Sequence, residues 1–307
     1  MTFLVTGAGG FLGRHVVARL RALGLPVVTL GRNTQAGDTH FAIADLADAA
    51  AIQGVMTQVR PDFVLHLAGT ATAEPLEEAY RVNAMFAARL LNAPRRLDTP
   101  PAILLAGSAA EYGPVAEDAL PVTEATPCRP NSTYGITKLA QTLHGLAAAG
   151  DGLRVVVARL FNLVGGGMPA HLALGAFARQ IALMPATGGT LRTGPLDRER
   201  DFVEVMPASD VLVALVRNPL AAGVINICSG TPQSLADFTS ALIAQSGKPV
   251  TVQSDPGRGG NSDMVRHWGD ATRLVTLDHK LAPADPARVA RALLTGGYGN
   301  IGSGGIT

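Results

Sequence analysis

The chain has 307 residues, with 25 Lys or Arg against 24 Asp or Glu, a net charge of +1, 47% apolar residues and 16% charged ones. Balanced charge excludes the basic surface of a general nucleic-acid binder, and high apolar content with little charge excludes a disordered chain. No Gly-X-Y period or sustained heptad is present, and two cysteines, Cys128 and Cys228, make neither a disulfide framework nor a zinc site, so both read as thiols in a reducing compartment.

Residues 2–6 have a strand pattern and run straight into a Gly-rich turn, without the basic start and long apolar stretch of a signal peptide. Further strand-like runs at 26–30, 41–44, 63–67 and 102–106 alternate with helical patterns near 11–23, 47–59 and 77–91. This alternation predicts βαβ units around a buried parallel sheet, an α/β doubly wound fold. A helix over 131–149, with Asn131 or Ser132 as its cap, and a Val-rich strand over 153–160 continue the series. After Asn162 the pattern loosens into a helix near 170–183, a loop of mixed charge, a strand over 224–228 and helices over 234–246 and 285–295. Ser234 opens the first of these two helices, with Asp237 as a weaker capping-box partner.

The longest uncharged run, between Arg159 and Arg179, is broken by Asn162, three glycines, Pro169 and His171, so no spanning helix is expected and the protein is expected to be soluble and cytoplasmic. The organisation expected is a dinucleotide-binding domain of 1–163 plus 201–228, a smaller substrate domain of 164–200 plus 229–295, and a flexible Gly-rich tail over 296–307.

Thr6-Gly7-Ala8-Gly9-Gly10-Phe11-Leu12-Gly13 joins the first strand to the first helix. Such a turn needs glycine for its tightness and for close backbone approach to a pyrophosphate, which the free N–H groups of the helix then face. The spacing Gly7-x-x-Gly10-x-x-Gly13 resembles the extended short-chain dehydrogenase/reductases, the NAD-dependent epimerase/dehydratase family. Asp45-Leu46 is similar to the family's adenine-edge pair, Leu67-Ala68-Gly69 after His66 to its fourth-strand motif, and Asn83 to its helix asparagine. The resemblance implies a Rossmann-type sheet with a smaller C-terminal substrate-binding domain, and cofactor contacts at Gly7, Gly10, Phe11, Leu12, Gly13, Asp45, Leu46, Leu67, Ala68, Gly69 and Asn83. Asp45 could instead cap the next helix, and His66 could be a satisfied core histidine. Where the second strand ends, Gly31 is followed by Arg32 rather than by an acid, which suits a 2′-phosphate and favours NADP(H) over NAD(H).

Tyr134 and Lys138 lie four apart on a predicted helix and share a face. A free phenol titrates near 10, and a neighbouring ammonium favours its phenolate. In the family this spacing is the catalytic pair, which also contacts the cofactor. Ser108, four residues before Tyr112-Gly113, matches the family's substrate hydroxyl. The family's sugar-nucleotide 4,6-dehydratases carry an acid pair after that hydroxyl residue, or at least a Glu two residues beyond it. Ala109 and Ala110 stand there, with Glu111 one residue late, so dehydration is disfavoured.

The second half resembles GDP-4-keto-6-deoxy-mannose reductases of the family in Arg159-Leu160-Phe161-Asn162, Phe177-Ala178-Arg179-Gln180, Arg198-Glu199-Arg200-Asp201-Phe202 and Asn226-Ile227-Cys228-Ser229-Gly230. The resemblance implies substrate contacts at Ser108, Asn162, Arg179, Arg200 and Arg258, with no metal. Arg258 precedes Gly-Gly-Asn-Ser-Asp where relatives show Arg-Pro-x-Asp, and Met206-Pro207-Ala208-Ser209 reads as an insertion.

The expected activity is therefore NADPH-dependent reduction of the 4-keto group of a 4-keto-6-deoxy sugar nucleotide, with GDP-4-keto-6-deoxy-mannose first. A sugar-nucleotide 4-epimerase with retained NAD is the alternative, and an NADP-sensing protein on the same fold is a third reading. A homodimer through the helices near 77–91 and 131–149 is expected from the family.

Overall fold

The computed structural model describes residues 1–32, 39–71, 74–255, 257 and 264–296. The main sheet contains β1 (Phe3–Thr6), β2 (Val27–Gly31), β3 (Thr39–Ala42), β4 (Phe63–His66), β5 (Ala102–Ser108), β6 (Val155–Leu160) and a seventh strand, Gly223–Ile227. All are parallel, and the order across the sheet is Gly223–Ile227, β6, β5, β4, β1, β2, β3. The chain leaves β1 for β2 on one side and later continues from β4 on the other. The crevice above the carboxyl ends of β1 and β4 is thus the switch point where ligands bind in such sheets.

Helices cover both faces, which is why the strands read as continuous apolar runs. Successive side chains alternate: Phe3 and Val5 pack with Val16 and Leu20 of α1 (Phe11–Ala22), while Leu4 packs on the other face with Ile52 and Met56 of α2 (Ala49–Val59). The helix expected over 77–91 is interrupted. α3 (Leu76–Tyr80) passes through a π turn at Arg81–Met85 into α4 (Phe86–Asn92). α5 (Thr133–Gly150) is capped by Ser132, whose Oγ accepts from Gly135 N at 3.1 Å, not by Asn131.

Beyond β6, α6 (Ala173–Leu183), α7 (Val205–Arg217), α8 (Leu235–Ser246) and a helix at Pro286–Thr295 follow. Met206-Pro207-Ala208-Ser209, read in the sequence as an insertion, lies in the first turn of α7. Pro207 falls where the helix needs no intrahelical N–H donor, and Ser209 Oγ donates to Val205 O at 2.7 Å. Ser234 caps α8 through Ala236 N, without the reciprocal bond expected of Asp237. A parallel pair, Gly189–Thr193 with Val250–Ser254, also went unpredicted. Leu174, Phe177, Ile181, Leu191, Phe238 and Leu293 form a cluster apart from the two that flank the main sheet. Residues 297–307 of the expected tail lie outside the described residues. Among the described residues no helix is long and apolar enough to cross a membrane.

Candidate active site

The Gly-rich turn has no room for side chains. A Cβ on Gly13 would lie 2.0 Å from Gly7 O, and one on Gly7, whose φ is +70°, would lie 2.5 Å from Ala68 N. Backbone thus meets backbone where β1, β4 and α1 converge. α1 is capped by Gly10, with no side-chain cap bond and no acid in its first turn. Its leading N–H groups are available to an anion, so the cradle fits the pyrophosphate of a dinucleotide. Leu12 and Leu46 are core side chains, 9% and 5% exposed, and only their backbone can serve a ligand.

At the adenosine end, Arg32 is exposed and pairs with Glu78 at 2.7 Å, and Asp45 pairs with Arg81 at 2.9 Å. The N–H of Ala47 and the Arg81 guanidinium hold the Asp45 carboxyl below the usual range. His66 is a core histidine. Its Nδ1 bonds Thr6 Oγ1 at 2.8 Å, and burial, with a contribution from the Lys138 charge, lowers its pKa to about 3. Asn83 is fully buried in the π turn. Its Oδ1 accepts from Thr70 N at 2.8 Å, and its Nδ2 donates to Thr70 O and to Thr137 Oγ1, both at 2.9 Å. It ties the loop after β4, including Gly69, to α5.

Ser108 ends β5, and α5 presents Tyr134 and Lys138 beside it. This approach depends on Gly135, where a Cβ would lie 2.5 Å from Ala110 O. Burial raises the Tyr134 phenol above its ordinary pKa; a hydrogen bond with Ser108 opposes this and the Glu111 charge adds to it. Lys138 is 3% exposed, and burial lowers its pKa to about 8 against the attraction of Glu111. Its Nζ donates to Gln141 Oε1 at 2.7 Å, and Gln141 Nε2 donates to Ala106 O of β5 at 2.9 Å. The sequence reading missed Gln141, although its position three residues beyond Lys138 is the signal for a shared helix face. Lys138 Nζ also stands 3.9 Å from where a Gly69 Cβ would be, on the cofactor side of the site.

Glu111 points away from the site, into the protein. Its Oε1 accepts from Ser108 N at 2.8 Å, and its Oε2 accepts from Thr142 Oγ1 at 2.8 Å and Arg159 Nε at 2.9 Å. It is fully buried and Arg159 is 4% exposed. The Arg159 guanidinium also lies over the Tyr112 ring, 4.6 Å from its centre. One carboxylate thereby joins Ser108, α5 and β6.

A cavity of about 700 Å³ opens from Ser108 and Tyr134. Phe11, Leu163, Met168 and Phe177 supply apolar walls, while Asn162, Gln180, Arg192, Arg198 and Arg200 supply polar ones. No Asp or Glu is among its described lining residues. A second hollow of about 470 Å³, sharing Ser108, Tyr134, Asn162 and Arg200, is floored by Ala109, Ala110 and His267.

Arg200 donates to Glu199 O, Val265 O and Met264 O at 2.8–2.9 Å, which leaves two of its five N–H groups for a ligand. Arg179 is not brought to the cavity. It is exposed on the side of α6 away from Phe177, and its neighbour Gln180 lines the wall instead. A helical step of about 100° separates the two. Arg258 lies outside the described residues. Arg192, Arg198 and His267 were not anticipated as lining residues; Arg198 lies in the Arg198–Phe202 segment that resembles the family, whereas Arg192 and His267 have no motif to mark them.

Two curated relatives align with most of the chain. It is 32% identical over 281 residues to the dTDP-6-deoxy-L-talose 4-dehydrogenase (NAD(P)(+)) of Kitasatospora kifunensis, covering 89% of this chain and 88% of that one. It is 30% identical over 277 residues to the GDP-6-deoxy-D-mannose reductase of Pseudomonas aeruginosa, covering 88% of each. The solved structure of RMD from Pseudomonas aeruginosa complexed with NADPH matches with a TM-score of 0.83 at 27% identity, over 98% of both chains. With residues 3–228 also matching the family model, the chain belongs to the NAD dependent epimerase/dehydratase family and is an extended short-chain dehydrogenase/reductase, an NAD(P)-dependent enzyme acting on sugar nucleotides.

Proposed function

We propose that this enzyme reduces the 4-keto group of a 4-keto-6-deoxy sugar nucleotide, with GDP-4-keto-6-deoxy-mannose as first choice and NADPH as the reductant. The observation that carries the reading is the larger cavity, lined by Ser108 and Tyr134 together with three arginines and with no carboxylate among its described lining residues. That electrostatic pattern suits a diphosphate. The GDP-6-deoxy-D-mannose reductase relative and the NADPH complex support the choice of base and cofactor. Apolar Ala109 and Ala110, together with the inward turn of Glu111, leave no acid for dehydration among the described residues lining the two hollows.

The nicotinamide, when bound, supplies the hydride to the keto carbon. Ser108 Oγ donates to the carbonyl oxygen and holds it beside Tyr134 Oη, which gives its proton to that oxygen as negative charge develops. Lys138, charged at neutral pH and close to Gly69, stabilises the phenolate left behind. The Gly7–Gly13 turn and the start of α1 hold the pyrophosphate, with Arg32 at the 2′-phosphate. Asn162 and Arg200 bind the sugar-nucleotide diphosphate, and Arg258 remains a candidate third contact.

A homodimer is proposed through α3–α4 and α5, on which Leu76, Met85, Ile136 and Leu143 are 42–57% exposed. A cytoplasmic location is proposed with it.

Incubation with NADPH and the GDP-linked keto sugar should consume one NADPH per sugar, and thermal shift should rank GDP above dTDP, UDP and CDP. No consumption with any GDP- or dTDP-linked 4-keto sugar overturns the reading. Stoichiometric NAD in the purified protein would favour a 4-epimerase.

A further inference from the structure

Two guanidiniums converge on one carboxylate at the carboxyl end of β2. Arg32 Nη1 lies 2.7 Å from Glu78 Oε1, and Arg81 Nε lies 3.8 Å from Glu78 Oε2. Arg81 reaches on to Asp45, its Nη1 2.9 Å from Oδ1. The side chains of Arg32, Glu78 and Arg81 are 53%, 33% and 44% exposed, so solvent screens their pairing and little packing holds them together.

The carboxyl end of β2 is where this fold receives the adenosine ribose. An acid there accepts from the ribose hydroxyls, whereas an arginine accommodates a 2′-phosphate. This chain brings both, the acid arriving from α3 rather than from β2. Arg81 and Glu78 are one helical turn apart and share a face. The backbone there is fixed, because Asn83, two residues after Arg81, is tied to Thr70 and Thr137.

We propose that Arg32, Glu78 and Arg81 form one cofactor-discriminating unit. Arg32 and Arg81 together take the 2′-phosphate of NADP(H). Glu78 is the competing anion: it withdraws from the guanidiniums when the phosphate is present and accepts from the ribose hydroxyls when NAD(H) binds instead. A phosphate monoester carries up to two charges and three acceptor oxygens, which suits two planar forks better than one carboxylate does. The proposal rests on the NADP(H) reading above and adds to it a second arginine and a built-in rival for both.

The test uses the full chain and needs no sugar substrate. NADPH and NADH are titrated by fluorescence, with adenosine 2′,5′-bisphosphate and AMP as competitors that report on this corner alone. Glu78→Gln should tighten NADPH and the bisphosphate by about tenfold while leaving NADH and AMP unchanged or weaker. Arg81→Gln should weaken NADPH by about tenfold and NADH by less than about twofold. Arg95→Gln, which breaks an exposed pair with Asp151, serves as a control that should move neither. The inference is overturned if Glu78→Gln leaves the NADPH-to-NADH ratio within about twofold of the parent, or if Arg81→Gln weakens both dinucleotides equally. Parent protein that binds NADH but not NADPH would overturn the NADP(H) reading, and this inference with it.

Discussion

Replacing Glu111 by glutamine should cost more stability than any change on the cavity walls. The carboxylate is fully buried and the Arg159 guanidinium nearly so, only 2.9 Å away. Glutamine is isosteric and keeps one oxygen for Ser108 N or Thr142 Oγ1, but it leaves Arg159 charged, buried and without a counter-charge. Removing one partner of a buried pair costs about 3–5 kcal/mol. The retained oxygen places this case toward the lower end, about 3 kcal/mol, against a total stability of about 5–15 kcal/mol. The assay is urea denaturation, in which the midpoint should fall with little change in slope. A double variant, Glu111→Gln with Arg159→Met, should recover at least half of the loss, because the orphaned charge is then gone. Two results refute this reasoning: a single variant within about 1 kcal/mol of the parent, or a double variant no better than the single one.

Tyr134→Phe removes the proposed proton donor and should lower keto-sugar reduction by about 10²–10⁴-fold. NADPH binding, followed by fluorescence, should persist; retained turnover would remove Tyr134 from the mechanism. The buried imidazoles predict an acid-sensitive fold. His66 and His267 are held near pKa 3 and 4, mainly by burial, below the unfolded value of about 6.5. As pH falls, the unfolded chain therefore takes up protons first. Their stabilisation is complete above about pH 6.5 and declines from there toward the folded values, by about 2–4 kcal/mol in all by pH 5. Unfolding free energy that stays flat from pH 7.5 to 5 would contradict this. Gly13→Ala places a methyl 2.0 Å from a backbone oxygen and should abolish dinucleotide binding and destabilise the protein by about 1–3 kcal/mol or more. Gly54→Ala, on α2 with nothing within 4 Å, should instead stabilise it by about 0.5–1 kcal/mol in urea. Equal effects of the two substitutions would show that backbone approach is not what demands Gly13.

The first half of the molecule was readable because its determinants are local. Apolar runs of strand length alternate with helical periods, and the Gly7–Gly13 turn sits where a tight strand-to-helix turn must be. Tyr134 and Lys138 share a face by helical arithmetic alone. The interruption of the helix at Arg81–Met85 was not readable. A π turn there serves Asn83's bonds to Thr70 and Thr137, partners distant in sequence. Arg179 and Gln180 were equally eligible by composition, and only the packing of α6 through Leu174, Phe177 and Ile181 decided which faced the cavity.

By itself, then, the sequence determined the doubly wound sheet, the cradle for an anion and the catalytic face of α5, since each depends on periodicity or on the steric demands of neighbouring residues. The bond from Ser108 N to Glu111 is half of a local Ser-x-x-Glu capping box. Tertiary structure alone decided that the same carboxylate also meets Thr142 and Arg159, that Arg192, Arg198 and Arg200 line one cavity with Ser108 and Tyr134, and that Glu78 and Arg81 meet Arg32. These are contacts between segments distant in sequence. Their energies depend on burial and on which charges are brought within a few ångströms, and no local pattern records either.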